Sequence, residues 1–190
     1  SRHGGTEHRS GEGEKIQQKK GFMPPIGVAL LATILDNGGH EVKVLDLQVE
    51  QFTQEELLTY LCAFRPGIVS LSILDATVPI VNNIFHMVKQ EFPDVVTICG
   101  GVHASMYPKE TLTESSDIDY LVYGEAEYTM KELVDMLEFK KDVSQVTGIY
   151  YRNAQGEIVS TGYRPVVQDL DEFPIPSRKF FDLEKYIPTP

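Results

Sequence analysis

Cysteine is scarce in this sequence. Its two cysteines, Cys62 and Cys99, lie 37 residues apart and form no C-x-x-C or C-x-x-x-C-x-x-C cluster. A structural zinc site or a cysteine-ligated cluster needs ligands grouped on a loop, so the sequence supports neither. Both cysteines lie in apolar segments, which predicts two reduced core thiols in a cytoplasmic protein.

Long hydrophobic runs and an excess of basic residues are also lacking. No apolar run approaches the roughly 18 residues of a membrane span, and residues 1–20 do not have the pattern of a signal peptide. The formal net charge is -11, although residues 1–20 hold five basic residues against three acidic ones. An acidic body without a basic stripe argues against nucleic acid as a partner.

Several common catalytic motifs do not occur. The sequence contains no G-x-x-x-x-G-K-[ST] phosphate loop, no G-x-G-x-x-G after a predicted strand and no G-x-S-x-G nucleophile turn. The five histidines are scattered and have no metal-ligand spacing. These absences argue against a P-loop nucleoside triphosphatase, a dinucleotide-binding enzyme and an α/β-hydrolase.

Strand and helix patterns alternate along most of the chain with short connections. This order predicts right-handed βαβ units, and therefore a doubly wound, parallel, flavodoxin-like α/β sheet over residues 26–145. The predicted strands are 40–47, 68–74, 95–99 and 120–123. The predicted helices are 26–35, which we expect to be deeply buried, then 53–64, 78–92, 108–115 and 125–139.

The two ends of the chain have a different character. Residues 1–25 are mostly polar and glycine-rich, which predicts a mobile N-terminal loop. Residues 146–151 and 157–161 flank Asn153-Ala154-Gln155-Gly156 and predict a β-hairpin. Five prolines in residues 164–190 then indicate an extended linker, so that residues 146–190 form a hairpin and a linker.

Three segments end predicted strands at the edge of the sheet where open α/β folds bind ligands. They are Ser72 to Asp75, Gly100 to Ala104 and Tyr123 to Glu127. The glycine pair would let a bulky ligand approach the backbone, or would simply turn the strand into a helix. The acids after Gly124 could face a ligand or could stabilise a helix N-terminus. From the residues alone, the sequence predicts an α/β ligand-binding domain.

Four segments, in order, resemble cobalamin-binding radical S-adenosylmethionine (SAM) proteins, a group that includes methyltransferases and the cyclase of magnesium-protoporphyrin monomethyl ester. PPIGVALLATILDNGGHEVKVLD (24–46) is similar to the family opening P-P-L-G-L-x-Y-L-A. ICGGVHAS (98–105) is similar to G-G-P-H-A-T, and DYLVYGEAEYTMKEL (119–133) to D-x-V-V-x-G-E-G-E-x-T. Residues 148–186 are similar to the hairpin and the D-L-D-x-L-P-x-P linker that lead into the radical barrel.

The resemblance implies that this domain binds cobalamin at the carboxyl edge of its sheet. It also implies a site made of Ser72, Leu74, Gly100, Gly101, His103, Ala104, Gly124, Glu125 and Glu127, with Asp171, Pro174 and Pro176 in the linker. The 4Fe-4S cluster and SAM would belong to a barrel domain of the same polypeptide. The chain alone is then not catalytic, and bulk at Gly101 should lower cobalamin affinity at least tenfold.

Three departures from the family pattern keep other interpretations open. The D-x-H-x-x-G motif that supplies an axial histidine elsewhere is missing, no C-x-x-x-C-x-x-C follows the linker, and residues 1–22 contain no apolar first strand. The fold could therefore have lost cobalamin and serve as a structural or interaction domain. A receiver module is a third possibility, because Asp75 could accept phosphate, but YLVYGEAE (120–127) offers no lysine partner.

The lack of an apolar first strand has a structural consequence. In the flavodoxin-like strand order the first strand is central and pairs on both sides. We therefore expect the strands at 40–47 and 68–74 either to pair directly or to face a gap, and the isolated chain to be less stable or to self-associate. We also expect the natural protein to begin some ten to fifteen residues before Ser1, with an apolar strand that turns into Ser1; a first strand formed within 14–23 would refute this expectation.

Overall fold

A computed structural model describes residues 23–186 of the chain, so the predicted N-terminal loop lies outside the described residues except for 23–25. Residues 23–186 contain six α-helices and five strands. The helices are α1 Ile26–Asn37, α2 Gln54–Phe64, α3 Val78–Glu91, α4 Val102–Met106, α5 Pro108–Glu114 and α6 Glu127–Glu138. The strands are β1 Ile68–Ser72, β2 Val96–Gly100, β3 Tyr120–Val122, β4 Ile149–Arg152 and β5 Ile158–Ser160.

The five strands form one sheet in the order β1-β2-β3-β4-β5. Strands β1, β2 and β3 run parallel, as the alternation of strands and helices predicts. Strands β4 and β5 form the predicted hairpin and pair antiparallel, β4 with β3 and β5 with β4. The hairpin therefore extends the parallel sheet, which the sequence pattern did not indicate.

The sheet is covered on both faces. On β2 and β3, Cys99 and Leu121 pack into one apolar cluster with residues of α3 and α5, and Ile98 and Val122 pack into another with residues of α6. This alternation is expected, because successive side chains of a strand point to opposite faces. The α/β architecture is thus confirmed, and the carboxyl ends of β1, β2 and β3 lie along one edge.

Local start and stop signals are confirmed. Thr53 caps α2, since its Oγ1 accepts from the N–H of Glu56 and the Glu56 carboxylate accepts from the N–H of Thr53. Gly38 caps α1, and Gly39 follows at a φ of +95°, which favours glycine. These signals need only residues a few positions apart, so the sequence predicts them well.

The predicted strand at 40–47 is wrong. Residues 40–46 have no regular secondary structure, and 47–49 form a turn. No backbone hydrogen bond joins residues 41–45 to another described residue. The segment has strand-like alternation, but a strand exists only where a second strand supplies hydrogen-bond partners.

Two burial predictions are also wrong. Helix α1 is not deeply buried, because only Ala29, Ala32 and Thr33 are buried and Ile26 is 65% exposed. Cys62 is exposed on α2, whereas its neighbour Leu61 is buried and faces the sheet. Cys99 is a core thiol as predicted, with no exposed surface.

The two cysteines should therefore differ sharply in reactivity. Burial raises the pKa of the Cys99 thiol to about 12, so this residue stays protonated and shielded near neutral pH. We expect a thiol reagent at pH 8 to modify one cysteine, Cys62, in the folded chain and both cysteines in denaturant. Mass spectrometry of the labelled peptides measures this, and rapid native labelling of Cys99 would contradict the placement of β2.

The proline-rich linker runs back over the domain. The N–H of Ser177 donates to Thr33 Oγ1 at 2.8 Å, Lys179 contacts Asp36 at 2.6 Å, and the Tyr186 hydroxyl donates to Asp46 at 3.0 Å. The linker also holds short 3-10 turns at Leu170–Glu172, Arg178–Phe180 and Leu183–Lys185. It therefore packs against α1 and the turn that follows residue 45.

Candidate functional site

Three strand ends meet at one cavity of about 1050 Å³. Of the nine predicted site residues, six line this cavity, and we call them the carboxyl-edge cluster: Ser72, Gly100, Gly101, Gly124, Glu125 and Glu127. Ser72 and Gly100 are the last residues of β1 and β2 and lie opposite each other in the strand register. The cavity therefore reaches the edge where parallel α/β sheets bind ligands, and it also runs along β1 to Pro66 and Gly67 at the opposite end of that strand.

Gly101 makes the closest backbone approach in the cluster. Its backbone angles, φ +98° and ψ -175°, lie in a region that residues with a side chain essentially never adopt. A Cβ atom at this position would lie 2.7 Å from Ser72 Oγ and 2.9 Å from the Ile73 carbonyl oxygen. Glycine is thus required for the turn from β2 into α4, whether or not a ligand is bound.

Gly100 is different from its neighbour. Its φ is not in the positive region, and a Cβ there would meet only the Val122 carbonyl oxygen, at an ordinary 3.5 Å. The packing of the described residues therefore does not require glycine at position 100.

Gly124 is held between two other parts of the chain. Its N–H donates to Ser105 Oγ at 3.0 Å, which links the β3 end to the loop after β2. The ring of Tyr163 lies 3.0 Å from the place where a Cβ would be, and the φ of Gly124 is +75°. Ser105 and Tyr163 thus form the wall of the cavity beside Gly124. The sequence contained a signal for Ser105, which ends the ICGGVHAS segment, but none for Tyr163.

The two acids of the cluster have different surroundings. One Glu125 carboxylate oxygen accepts from the N–H of Val167 at 3.1 Å, so this side chain holds the linker. Glu127 is the first residue of α6, and its Oε2 is buried with no hydrogen-bond partner among the described residues. A buried acceptor without a partner is costly, so Glu127 is suited to receive a donor from a ligand.

The other three predicted residues do not line the cavity. Leu74 lies beyond β1 and is 52% exposed, while Ala104 is fully buried in the core. The His103 ring has Nδ1 2.7 Å from Asp75 Oδ1 and packs on Tyr107. The sequence could not separate these residues from the cluster, because α4 turns His103 and Ala104 away from the strand ends and Leu74 lies beyond the end of β1.

The remaining walls of the cavity were not predicted. Apolar side chains of α1 and α6 and of residues 42–45 line it: Val28, Leu31, Ala32, Val42, Val44, Leu45, Met130, Val134 and Leu137. The apolar character of α1 is visible in the sequence and predicts deep burial, whereas in the structure part of this apolar surface lines the cavity.

Within residues 23–186, no group of three or more His, Cys, Asp or Glu side chains is arranged to hold a metal ion. Over the same range no helix has both the length and the hydrophobicity needed to cross a bilayer.

The family model described as B12 binding domain matches residues 17–134, well over half of the chain. The chain belongs to this B12-binding domain family. The resemblance inferred from four sequence elements is therefore confirmed, and the glycine pair and the G-E-A-E segment lie within the matched range.

Curated relatives extend the resemblance to most of the chain. The domain is 31% identical over 163 residues to an uncharacterized methyltransferase of Pyrococcus horikoshii, covering 86% of this chain and 35% of that protein. It is 30% identical over 176 residues to the anaerobic magnesium-protoporphyrin IX monomethyl ester cyclase of Synechocystis sp., covering 92% of this chain and 34% of the cyclase. The chain thus spans about a third of the length of these relatives.

A solved structure has the same fold. The cobalamin-dependent SAM radical enzyme OxsB, with aqua-cobalamin and SAM bound, matches with a TM-score of 0.69 and 24% identity. The match covers 80% of this chain and 21% of OxsB. The B12-binding domain described here is therefore Rossmann-like, as the strand and helix pattern predicts.

Proposed function

We propose that this B12-binding domain retains cobalamin and holds it at the carboxyl-edge cluster. The observation that carries this proposal is the meeting of three strand ends at one large cavity, with the glycine pair at its rim. The alternative, a domain that has lost cobalamin, has no specific contact in its favour.

The residues of the cluster fit a large cofactor that carries amide groups. Gly100 is half-buried and has no side chain to hinder close approach, and Ser72 is an exposed residue with a hydroxyl group. The Glu127 carboxylate oxygen, which is buried and has no partner among residues 23–186, can accept a hydrogen bond from a corrin amide. His103 is outside the cavity and paired with Asp75, so we give it no contact with the cofactor.

Cobalamin would supply methyl transfer or would tune radical chemistry, whereas this domain binds, orients and shields it. In the layout we propose, residues 26–145 hold the cofactor, and residues 146–190 lead from it towards a radical SAM barrel of the same polypeptide. That barrel would hold the 4Fe-4S cluster and SAM, and the whole protein would perform methyl transfer or oxidative cyclisation. The two unpaired cysteines favour a reducing compartment such as the cytoplasm.

Cofactor retention tests the proposal directly. We expect the purified chain, incubated with hydroxocobalamin and passed through a desalting column, to keep about one equivalent of the corrin absorbance band. Heat-unfolded chain treated in the same way is the control for adventitious adsorption. Loss of the corrin band from the folded chain would favour the domain that has lost cobalamin.

A further inference from the structure

Glu127 is the one residue of the carboxyl-edge cluster with a buried polar atom that lacks a partner among residues 23–186. It lines the cavity at the start of α6, and its Oε2 atom is buried. An oxygen of this kind has lost its hydrogen bonds to water and has gained none in return, which is unfavourable. A ligand that brings an N–H or O–H group to this oxygen therefore binds more favourably than one that brings a second acceptor.

The charge around Glu127 opposes an anionic ligand. Glu125 lies two residues away, and the carboxyl-edge cluster contains no lysine, arginine or histidine. None of the ion pairs formed within residues 23–186 involves Glu125 or Glu127. The N-terminus of α6 contributes about half a positive charge, which is less than the negative charge of two carboxylates. This wall of the cavity is therefore acidic.

The basic residues of the cavity belong to other segments. Arg65 precedes β1, so it lies at the end of that strand opposite the carboxyl-edge cluster. Lys43 and His40 come from residues 40–45, and His40 Nδ1 lies 3.3 Å from a carboxylate oxygen of Glu138, the last residue of α6. The acids at the carboxyl edge thus have no cation of their own that could bind an anionic group.

We propose that Glu127 makes the site selective for a corrinoid whose peripheral side chains are uncharged amides, and against one in which the amide at Glu127 is a carboxylate. This inference rests on the proposed function, because it concerns the same cofactor at the same cluster. An amide N–H donates to the buried oxygen, whereas a carboxylate at that place brings only acceptors and a second negative charge. Sites built around a hydrogen bond of this kind discriminate strongly against analogues that cannot make it.

Binding titrations of the whole polypeptide that carries this domain, followed by corrin absorbance, test the selectivity. The ligands are hydroxocobalamin and its separated monocarboxylic acids, in each of which one peripheral primary amide has become a carboxylate. We expect one of these acids to bind at least about 30-fold more weakly than hydroxocobalamin at about pH 7.5, because it leaves the Glu127 oxygen unpaired and places a like charge beside it.

Glu127→Gln identifies the residue responsible. Glutamine removes the charge and adds an N–H₂ group that can donate to a carboxylate. We expect the ratio of the two affinities to fall from at least about 30 to about 3 or less. Glu138→Gln is the matched control, since it removes the same charge from the same cavity about 16 Å away along α6 and should leave the ratio unchanged. Partial unfolding of a variant weakens both ligands equally, so it cancels from the ratio.

Equal binding of hydroxocobalamin and all of its monocarboxylic acids would overturn the selectivity and leave the retention of cobalamin in place. A ratio that Glu127→Gln does not change would also overturn it, because the repulsion would then come from another residue. A polypeptide that binds no hydroxocobalamin would contradict the proposed function, and this inference with it. The titrations therefore distinguish the failure of the selectivity from the failure of the proposed function.

Discussion

Replacing Gly101 with alanine should lower the free energy of unfolding by roughly 3 kcal/mol and the melting temperature by about 6–12 °C. The new Cβ would lie 2.7 Å from Ser72 Oγ and 2.9 Å from the Ile73 carbonyl oxygen. The Ile73 backbone cannot easily move, because its N–H donates to Gly100 and its carbonyl accepts from His103. Both the backbone conformation and the overlap are therefore unfavourable.

Gly39→Ala is the matched control. Gly39 has a φ of +95°, close to the +98° of Gly101, but no atom lies within 4 Å of its added Cβ. We expect this variant to lose only about 1 kcal/mol, so that the difference between the two measures the overlap together with the strain that the extended ψ of Gly101 adds. Thermal unfolding of both variants without cobalamin gives the comparison, and equal losses would contradict the close approach of Gly101 to β1.

Cobalamin affinity should fall at least tenfold, or about 1.4 kcal/mol, when Gly100 is replaced with valine. Valine suits the end of a strand, and the nearest atom to the new Cβ is 3.5 Å away, so the variant should fold. Its side chain would add bulk at the rim of the cavity, where we place the cofactor. Titration with hydroxocobalamin, followed by absorbance, measures the effect.

Gly67→Val provides the control for this experiment. Gly67 borders the same cavity just before β1, at the opposite end of that strand from Ser72, and no atom lies within 4 Å of a Cβ placed there. We expect its cobalamin affinity to stay within about twofold of the original, since the cofactor is assigned to the carboxyl edge. A loss at Gly67 as large as that at Gly100 would place cobalamin elsewhere in the cavity.

These experiments replace the substitution that the sequence suggested. The resemblance predicts that bulk at Gly101 obstructs cobalamin, but the added atoms would meet Ser72 and Ile73. A loss of affinity in that variant would combine misfolding with obstruction. Gly100 and Gly101 are adjacent and identical in type, and only the backbone conformation distinguishes their roles.

The candidate site was predictable in part. Strand ends can be read from local patterns, and the sheet brings their backbone together at one edge, which is why six of the nine residues line one cavity. The side chains of the other three were not predictable from position, since α4 buries Ala104 and directs His103 to Asp75. Glu125 and Val167, which form a hydrogen bond, are 42 residues apart in the sequence, so no local pattern could predict their contact.

The sequence by itself determined the features that depend on near neighbours. These include the capping box at Thr53, the glycine turn after α1, the hairpin around Asn153 to Gly156 and the alternation of β2 and β3. Only the tertiary structure decided which strand-like segments are strands and which apolar surfaces are covered. Residues 40–47 have the composition of a strand, but hydrogen-bond partners for a strand come from distant segments, and residues 23–186 supply none for 41–45.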